Sequence, residues 1–235
     1  MKVNMAAHKE FRRFAASYGR YNLIQARVAR ALVSKIDRPY PVLVDLGCGS
    51  GGLFRAYEQP FMKYWAVDAA PEMLALHPSD PRVEKVVGNF NDASLFETLE
   101  RLDFDLLISS SALQWSEDLD WTLGQIASLK RPAAMTIFTS GTFASLRKVT
   151  GTPSPIRSAR ETIEALRRHF DAEIDLLRYR LFFKDALSML RYIKRSGVSG
   201  GAGLLGYREI KRIVETYPFP WLEFEVVRAL ALNHR

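Results

Sequence analysis

Apolar positions recur along the chain in two rhythms, and their alternation predicts the architecture. Residues 8–37 carry Phe11, Phe14, Tyr18, Leu23, Val28 and Leu32 among polar residues. That is a helical spacing, and Pro39 and Pro41 end it. The run Val42-Leu43-Val44 then meets Asp45 and a glycine cluster, as a buried strand does on entering a tight turn. Strand-like stretches follow near 63–67, 83–87, 104–109 and 134–139, separated by helix-like stretches near 53–59, 71–76, 94–101 and 119–130. Strand and helix in turn predict right-handed βαβ units, and so a doubly wound, mostly parallel sheet with helices on both faces.

Beyond Thr139 the rhythm loosens. The loop Thr152-Pro153-Ser154-Pro155 precedes a helix opened by Ser158, with Glu161 three residues on as a capping box. Helices near 184–196 and 206–216 flank a glycine-rich loop, and a last strand is expected over 224–231. The 235 residues, 48% of them hydrophobic, suffice for one domain with one substantial core. No run of eighteen apolar residues occurs, and Lys and Arg stud the first forty positions, so neither a membrane span nor a signal peptide is expected. Cys48 is the single cysteine, which excludes an internal disulfide and points to a reducing, cytoplasmic setting. The four histidines are scattered without ligand-like neighbours, so no metal site is expected.

Charge is unevenly spread within the net +7. Residues 1–38 hold nine Lys/Arg against Glu10 and Asp37, and residues 178–212 hold nine against Asp185 and Glu209. Residues 42–120 reverse this, with five basic and fourteen acidic. The flanks therefore offer either a solvated basic face or a landing site for an acidic partner.

The chemistry concentrates in Val44-Asp45-Leu46-Gly47-Cys48-Gly49-Ser50-Gly51-Gly52, at the first strand-to-helix turn, where α/β sheets bind nucleotide-like ligands. Gly47, Gly49 and Gly52 also satisfy the dinucleotide pattern G-x-G-x-x-G. Charge separates the two readings. A pyrophosphate prefers helix-end amides with no acid nearby, yet Asp45 stands just before the loop, the only charged residue from 42 to 54. S-adenosylmethionine carries no phosphate but does carry an ammonium and a sulfonium, so Asp45 favours the methyl donor. Asp68 follows the second strand about 20 residues later, the spacing at which a carboxylate reaches ribose hydroxyls; capping the next helix is its plainer alternative. Asn89, after the third strand, has an acceptor for an adenine amino group, and Phe90 an apolar face, although Asn89 also suits an ordinary turn.

Matches beyond the loop are carried by further strings. Phe14-Ala15-Ala16-Ser17-Tyr18 precedes Gln25 and Val28-Ala29; Ser110-Ser111-Ala112-Leu113-Gln114-Trp115 precedes Glu117-Asp118-Leu119. Phe138-Thr139-Ser140-Gly141-Thr142-Phe143-Ala144-Ser145-Leu146 follows the fifth strand, and Leu190-Arg191-Tyr192-Ile193-Lys194-Arg195-Ser196-Gly197-Val198 comes later. In this order they resemble the malonyl-[acyl-carrier protein] O-methyltransferases of biotin synthesis, over nearly the whole chain. Two positions depart from that family: Arg131-Pro132-Ala133-Ala134 stands where Arg-Pro-Gly-Gly is usual, and Asn89 where Asp is usual.

The resemblance implies a class I methyltransferase with a seven-stranded sheet and an N-terminal helical lid. Residues 1–38 would form the lid, 39–140 the cofactor half, and 141–235 the acceptor and carrier half. It implies S-adenosylmethionine held by Asp45, Gly47, Gly49, Gly51, Asp68, Ala69, Asn89, Phe90 and Ser110, with Tyr18, Gln114 and Trp115 on the acceptor side. The acceptor would be the free carboxylate of a malonyl thioester on an acidic acyl carrier protein, landing on Lys184, Arg191, Lys194 and Arg195. In that helix, Ala186, Leu187, Met189, Leu190 and Ile193 are expected to face inward. A monomer is expected, with no membrane or nucleic-acid partner. The alternatives are a methyltransferase for another small carboxylic acid or for RNA, a non-catalytic S-adenosylmethionine-binding protein, and, disfavoured by Asp45, a nicotinamide oxidoreductase.

Overall fold

The described residues of the computed structural model are 23–196 and 207–232, with 194–196 and 207–209 described in backbone only. Tyr18 and most of the expected lid lie outside them, as do the side chains of Lys194 and Arg195. The chain enters through α1 (Leu23–Val33) and then alternates: β1 (Val42–Leu46), α2 (Gly52–Ala56), β2 (Lys63–Asp68), α3 (Pro71–Leu76), β3 (Val83–Val87), α4 (Ala93–Glu100) and β4 (Leu106–Ser110). A 3₁₀ turn (Leu113–Trp115) leads to α5 (Leu119–Ser128) and β5 (Ala133–Phe138). The second half holds α6 (Ala144–Thr150), α7 (Ala159–His169), β6 (Glu173–Phe182), α8 (Ala186–Ser196), α9 (Tyr207–Thr216) and β7 (Trp221–Ala231).

The sheet has seven strands in the order β3-β2-β1-β4-β5-β7-β6. The first five are parallel, and β7 runs antiparallel to both β5 and β6. This is the expected mostly parallel sheet with helices on both faces. Because the order reverses between β1 and β4, a crevice opens at the carboxyl ends of those strands. β4 and β5 are buried almost throughout, as strands covered on both faces must be.

Packing explains which face each helix takes. Val28, Ala29 and Leu32 of α1 are buried, and Ala29 and Leu32 join Leu43, Tyr64, Ala66, Leu106 and Ile108 in one apolar layer. Leu23, one of the apolar positions of the helical spacing, is 54% exposed, while its neighbour Ile24 is buried. The opposite layer gathers Val44, Leu46, Val67 and Leu107 with α4, α5 and α7. The capping box of α7 forms as expected: the Ser158 amide donates to Glu161 Oε2 (2.8 Å) and the Glu161 amide to Ser158 Oγ (3.2 Å).

Two elements were absent from the periodicity, α6 and β6. β6 is an edge strand whose exposure does not alternate cleanly, and it carries Asp175, Arg178 and Arg180 among its apolar residues. Its place is fixed by β7, with which it pairs over all ten residues. β7 begins three residues earlier than expected, and its first five residues, Trp221–Glu225, extend beyond the end of β5, where Phe138 faces Val226, and pair with β6 alone.

Arg228 ties this ribbon to α1. The residue is 7% exposed, and its guanidinium pairs with Asp175 on β6 and donates to the Ala31 carbonyl at 3.0 Å. Arg228→Ala is expected to lower stability by about 2 kcal/mol in urea denaturation, since the Ala31 carbonyl loses a charged donor while half-exposed Asp175 can rehydrate.

Candidate cofactor and acceptor pocket

The turn after β1 is clamped onto the end of β2. The amides of Gly47 and Cys48 both donate to the Val67 carbonyl, at 2.8 and 3.0 Å. Gly47 has φ +77°, and a Cβ there would stand 2.4 Å from the Cβ of Ala112, so a side chain is excluded twice over. Gly51, at φ +87°, is confined in the same way by Pro78 at 2.6 Å and His77 at 2.9 Å. Gly51 was expected to touch the cofactor, but it lies outside the pocket lining and packs against the His77-Pro78 turn instead.

Asp68 closes the clamp from the other side. Its Oδ2 accepts from the Gly49 amide (2.8 Å) and its Oδ1 from the Ala70 amide (2.9 Å). It therefore does not cap α3, whose N-cap is Ala70, but shapes the glycine loop while lining the pocket.

Asp45 is fully buried at the carboxyl end of β1. The Tyr64 hydroxyl donates to its Oδ2 at 2.7 Å, while its Oδ1, also buried, has no hydrogen-bond partner. Burial pushes the carboxyl up to about 7; the Tyr64 hydrogen bond works against that and the neighbouring Asp68 charge adds to it. Burial likewise pushes the Cys48 thiol well up, so it is no nucleophile.

One pocket collects most of the expected cofactor residues: Asp45, Gly47, Gly49, Asp68, Ala69, Asn89, Phe90 and Ser110. Asn89 serves its own turn, for its Oδ1 accepts from both the amide (3.0 Å) and the side chain (3.1 Å) of Asn91. Its edge still faces the pocket beside Phe90. Ser110 Oγ accepts from Thr136 Oγ1 at 2.9 Å, which ties the ends of β4 and β5 together.

On the expected acceptor side, Trp115 lines the pocket and Gln114 does not. Gln114 is buried, with its Nε2 donating to the Ser111 carbonyl (2.6 Å) and its Oε1 taking the Phe138 amide at 3.4 Å. It thus braces Ser111, a non-glycine residue at φ +61°, against the end of β5.

Several lining residues were not foreseen as site residues: Gln25 and Ala29 of α1, Met73 of α3, Ser111 and Ala112. The Gln25 and Val28-Ala29 string carried a signal for the first two. Arg157 was missed entirely. Its guanidinium donates to the Ser116 (2.9 Å) and Glu117 (2.8 Å) carbonyls, and its own carbonyl accepts from Ser140. It thereby links the loops after β4 and β5, a contact between distant segments that no local pattern announces.

Sheet order, switch-point pocket, glycine clamp and paired acids define the protein as a methyltransferase of the class I fold. Comparison with known proteins agrees: the family model described as a methyltransferase domain matches residues 44–136. The YcgJ protein of Bacillus subtilis superimposes with TM-score 0.60 at 12% identity, covering 88% of this chain and 99% of that one. A Haemonchus contortus phosphoethanolamine N-methyltransferase, solved with S-adenosylhomocysteine, gives TM-score 0.52 at 15% identity over 87% of this chain and 52% of its own. At these identities the likeness concerns the fold. Sequence relatives are more specific. The malonyl-[acyl-carrier protein] O-methyltransferase of Chlorobium luteolum is 31% identical over 208 residues, 81% of this chain and 78% of that protein. Its namesake in Enterobacter lignolyticus is 28% identical over 199 residues, 80% and 78% respectively. The chain belongs to the malonyl-[acyl-carrier protein] O-methyltransferase family.

Gly47→Ala is expected to cost about 2 kcal/mol or more, because the left-handed backbone and the Ala112 contact both oppose it, and to abolish cofactor binding in calorimetry. Gly52→Ala, where a Cβ meets no atom within 4 Å, is the matched control and should leave stability unchanged or slightly raised.

Proposed function

We propose that this protein binds S-adenosylmethionine in the β1–β4 crevice and methylates the free carboxyl of a malonyl group carried on acyl carrier protein. The observation that carries the cofactor half of this reading is Asp45: a fully buried carboxyl oxygen without a partner, on the pocket wall, suits a cationic ligand head. When bound, S-adenosylmethionine supplies an electrophilic methyl group. Asp45 Oδ1 would hold its ammonium, Asp68 its ribose hydroxyls, and Phe90 one face of its adenine. Gly47 and Gly49 bring the backbone close.

The acceptor chemistry follows from what the pocket lacks. Among the described residues its titratable groups are Asp45, Cys48 and Asp68. Asp45 is given to the cofactor head, Asp68 to the loop amides, and the Cys48 thiol stays protonated. None is poised as a general base. An acceptor that is already ionised, such as a malonyl carboxylate, needs none, and the rate then comes from alignment and exclusion of water. Trp115, on the wall beside Ser111 and Ala112, offers an apolar surface for that purpose; Tyr18, the other residue assigned to the acceptor, lies outside the described residues. In this scheme residues 39–140 form the cofactor half, with Trp115 on its acceptor side, and residues 141–235 the acceptor and carrier half.

The carrier would approach α8. Lys184, just before the helix, and Arg191 are exposed. Leu187, expected to face the core, is 51% exposed and lies between them on that surface, while Met189, Tyr192 and Ile193 turn inward. An apolar contact flanked by cations fits an acidic protein surface, with Lys194 and Arg195 extending the basic stretch. The protein is expected to transfer label from radiolabelled S-adenosylmethionine to malonyl-loaded carrier but not to acetyl-loaded carrier. Absence of label, with binding confirmed by calorimetry, would refute the acceptor assignment. Arg191→Glu should raise KM for malonyl carrier protein about tenfold and leave KM for a free malonyl thioester unchanged; equal effects on both would refute the docking face.

A further inference from the structure

The mechanism above uses only one oxygen of Asp45. The other is held by Tyr64, a residue that lines no part of the pocket and sits fully buried on β2. Val44 faces Trp65 and Asp45 faces Ala66 across the β1–β2 ladder, so Tyr64 reaches Asp45 diagonally, ring against carboxyl. That ring cannot swing away. It meets Phe54 edge-on at 5.3 Å, Phe61 at 5.8 Å and His77 at 6.1 Å between centroids. A rigid phenol thus fixes Oδ2 and leaves Oδ1 as the oxygen for a ligand.

We propose that Tyr64 is a positioning residue of the cofactor site, holding Asp45 so that entry of a cationic ligand head displaces a proton from the Asp45 carboxyl. The proposal rests on the cofactor reading given above and assigns it a proton balance: ligand ammonium and protonated Asp45 combine to give an ammonium–carboxylate pair and one released proton. Among the described residues Asp45 has no ion-pair partner, and burial pushes it up to about 7, so near neutrality a large share of the free protein holds that proton.

The groups surrounding the pair do not supply the same signal. On β2, Asp68 lies at the strand end and adds its charge; in the glycine loop, the Cys48 thiol stays neutral. From β4 the partner in register is Ile108, flanked along the strand by Leu107 and Ser109, none of them ionisable. Of α1, Gln25 and Ala29 line the pocket. Around the phenol, burial pushes Tyr57 up and His77 down, so both remain uncharged between about pH 6.5 and 8. Arg55 of α2 and Lys85 of β3 are spent on the Ser50 and His77 carbonyls, each within 2.9 Å.

Sign follows from linkage. The ligand prefers ionised Asp45, so affinity rises with pH up to the carboxyl's own titration and levels off above it, until the ligand amine itself deprotonates near pH ~8. The test is calorimetry with S-adenosylhomocysteine from about pH 6.5 to 7.5, in two buffers of different ionisation enthalpy. Affinity is expected to rise roughly threefold across that range, with most of one proton released per ligand at the acid end. Tyr64→Phe keeps the ring packing but removes the donor, and should move the midpoint up by about one pH unit. Asp45→Asn should bind without proton release or pH dependence. If Tyr64→Phe does not fold, 3-fluorotyrosine at position 64, with a more acidic hydroxyl, should lower the midpoint instead. A flat affinity with no proton release in the wild-type protein, or an unmoved midpoint in the folded Tyr64 variants, overturns the inference and leaves the cofactor reading standing. Failure of the wild-type protein to bind at any pH overturns both.

Discussion

One backbone oxygen, the Val67 carbonyl, organises the working end of this molecule by accepting two consecutive amides from the glycine loop. Two neighbouring N–H groups can converge on one acceptor only if the chain turns sharply between them, and Gly47 at φ +77° makes that turn. The rest follows in sequence. With Gly47 clamped, Gly49 falls onto Asp68; with Gly49 placed, Gly51 can start α2 against Pro78. Ala112 closes over the loop from β4, so even the residue after the strand end is constrained to a small side chain. The clamp therefore joins β1, β2 and β4, the strands that flank the switch point, and any ligand in the crevice is read by a surface with little freedom.

Holding an acid at the centre of that surface is costly. A buried carboxyl without full solvation keeps its proton, and the folded state is then less stable at neutral pH than in acid by whatever ionisation costs there. For an acid raised in the folded state, stability falls as pH rises from the ordinary Asp range to about 7 and changes no further above it. Such an arrangement makes sense where a ligand supplies the missing charge. It also separates this crevice from a dinucleotide site of similar letters, in which pyrophosphate and an adjacent acid would repel each other. The glycines describe the shape of the turn; Asp45 decides what the turn can hold.

How much was legible in the sequence follows from the range of the interactions involved. β1 to β5 and their helices were readable because each is a local run whose period reports its own burial, and the Asp45–Gly47–Gly49–Asp68 constellation because its parts flank a single turn. β6 was not readable, since an edge strand mixing Arg and Asp with Leu is specified by its partner β7 and not by its own alternation. Leu187 was assigned inward from helical spacing together with Met189 and Ile193; tertiary packing buries the latter two and leaves Leu187 exposed. Gln114 and Gly51 mark the subtler limit. Both belong to motifs of the site, yet each serves a neighbouring segment: Gln114 the strained Ser111, Gly51 the His77-Pro78 turn. A motif tells which residues matter together; only the fold tells which of them face the ligand and which hold the others.

The second half of the chain takes part in the site by the same logic of support. β7 overhangs the end of β5, and from that overhang Glu225 accepts Thr139 Oγ1 at 2.8 Å while Glu223 receives the amide and hydroxyl of Ser145. The loop after β5 is thus pinned from outside, by a ribbon that reverses direction, and Arg157 fastens it to the loop after β4. An antiparallel strand beside β5 permits this, because its leading end arrives at the carboxyl edge where a parallel strand would bring its trailing end. The acceptor wall at Trp115 and Ser111 then stands between two fixed regions, the glycine clamp on one side and the β5 loop on the other. For a reaction that needs no base, a wall that cannot shift is what alignment demands, and the fold obtains it by spending polar side chains on backbone groups and keeping one carboxyl oxygen in reserve.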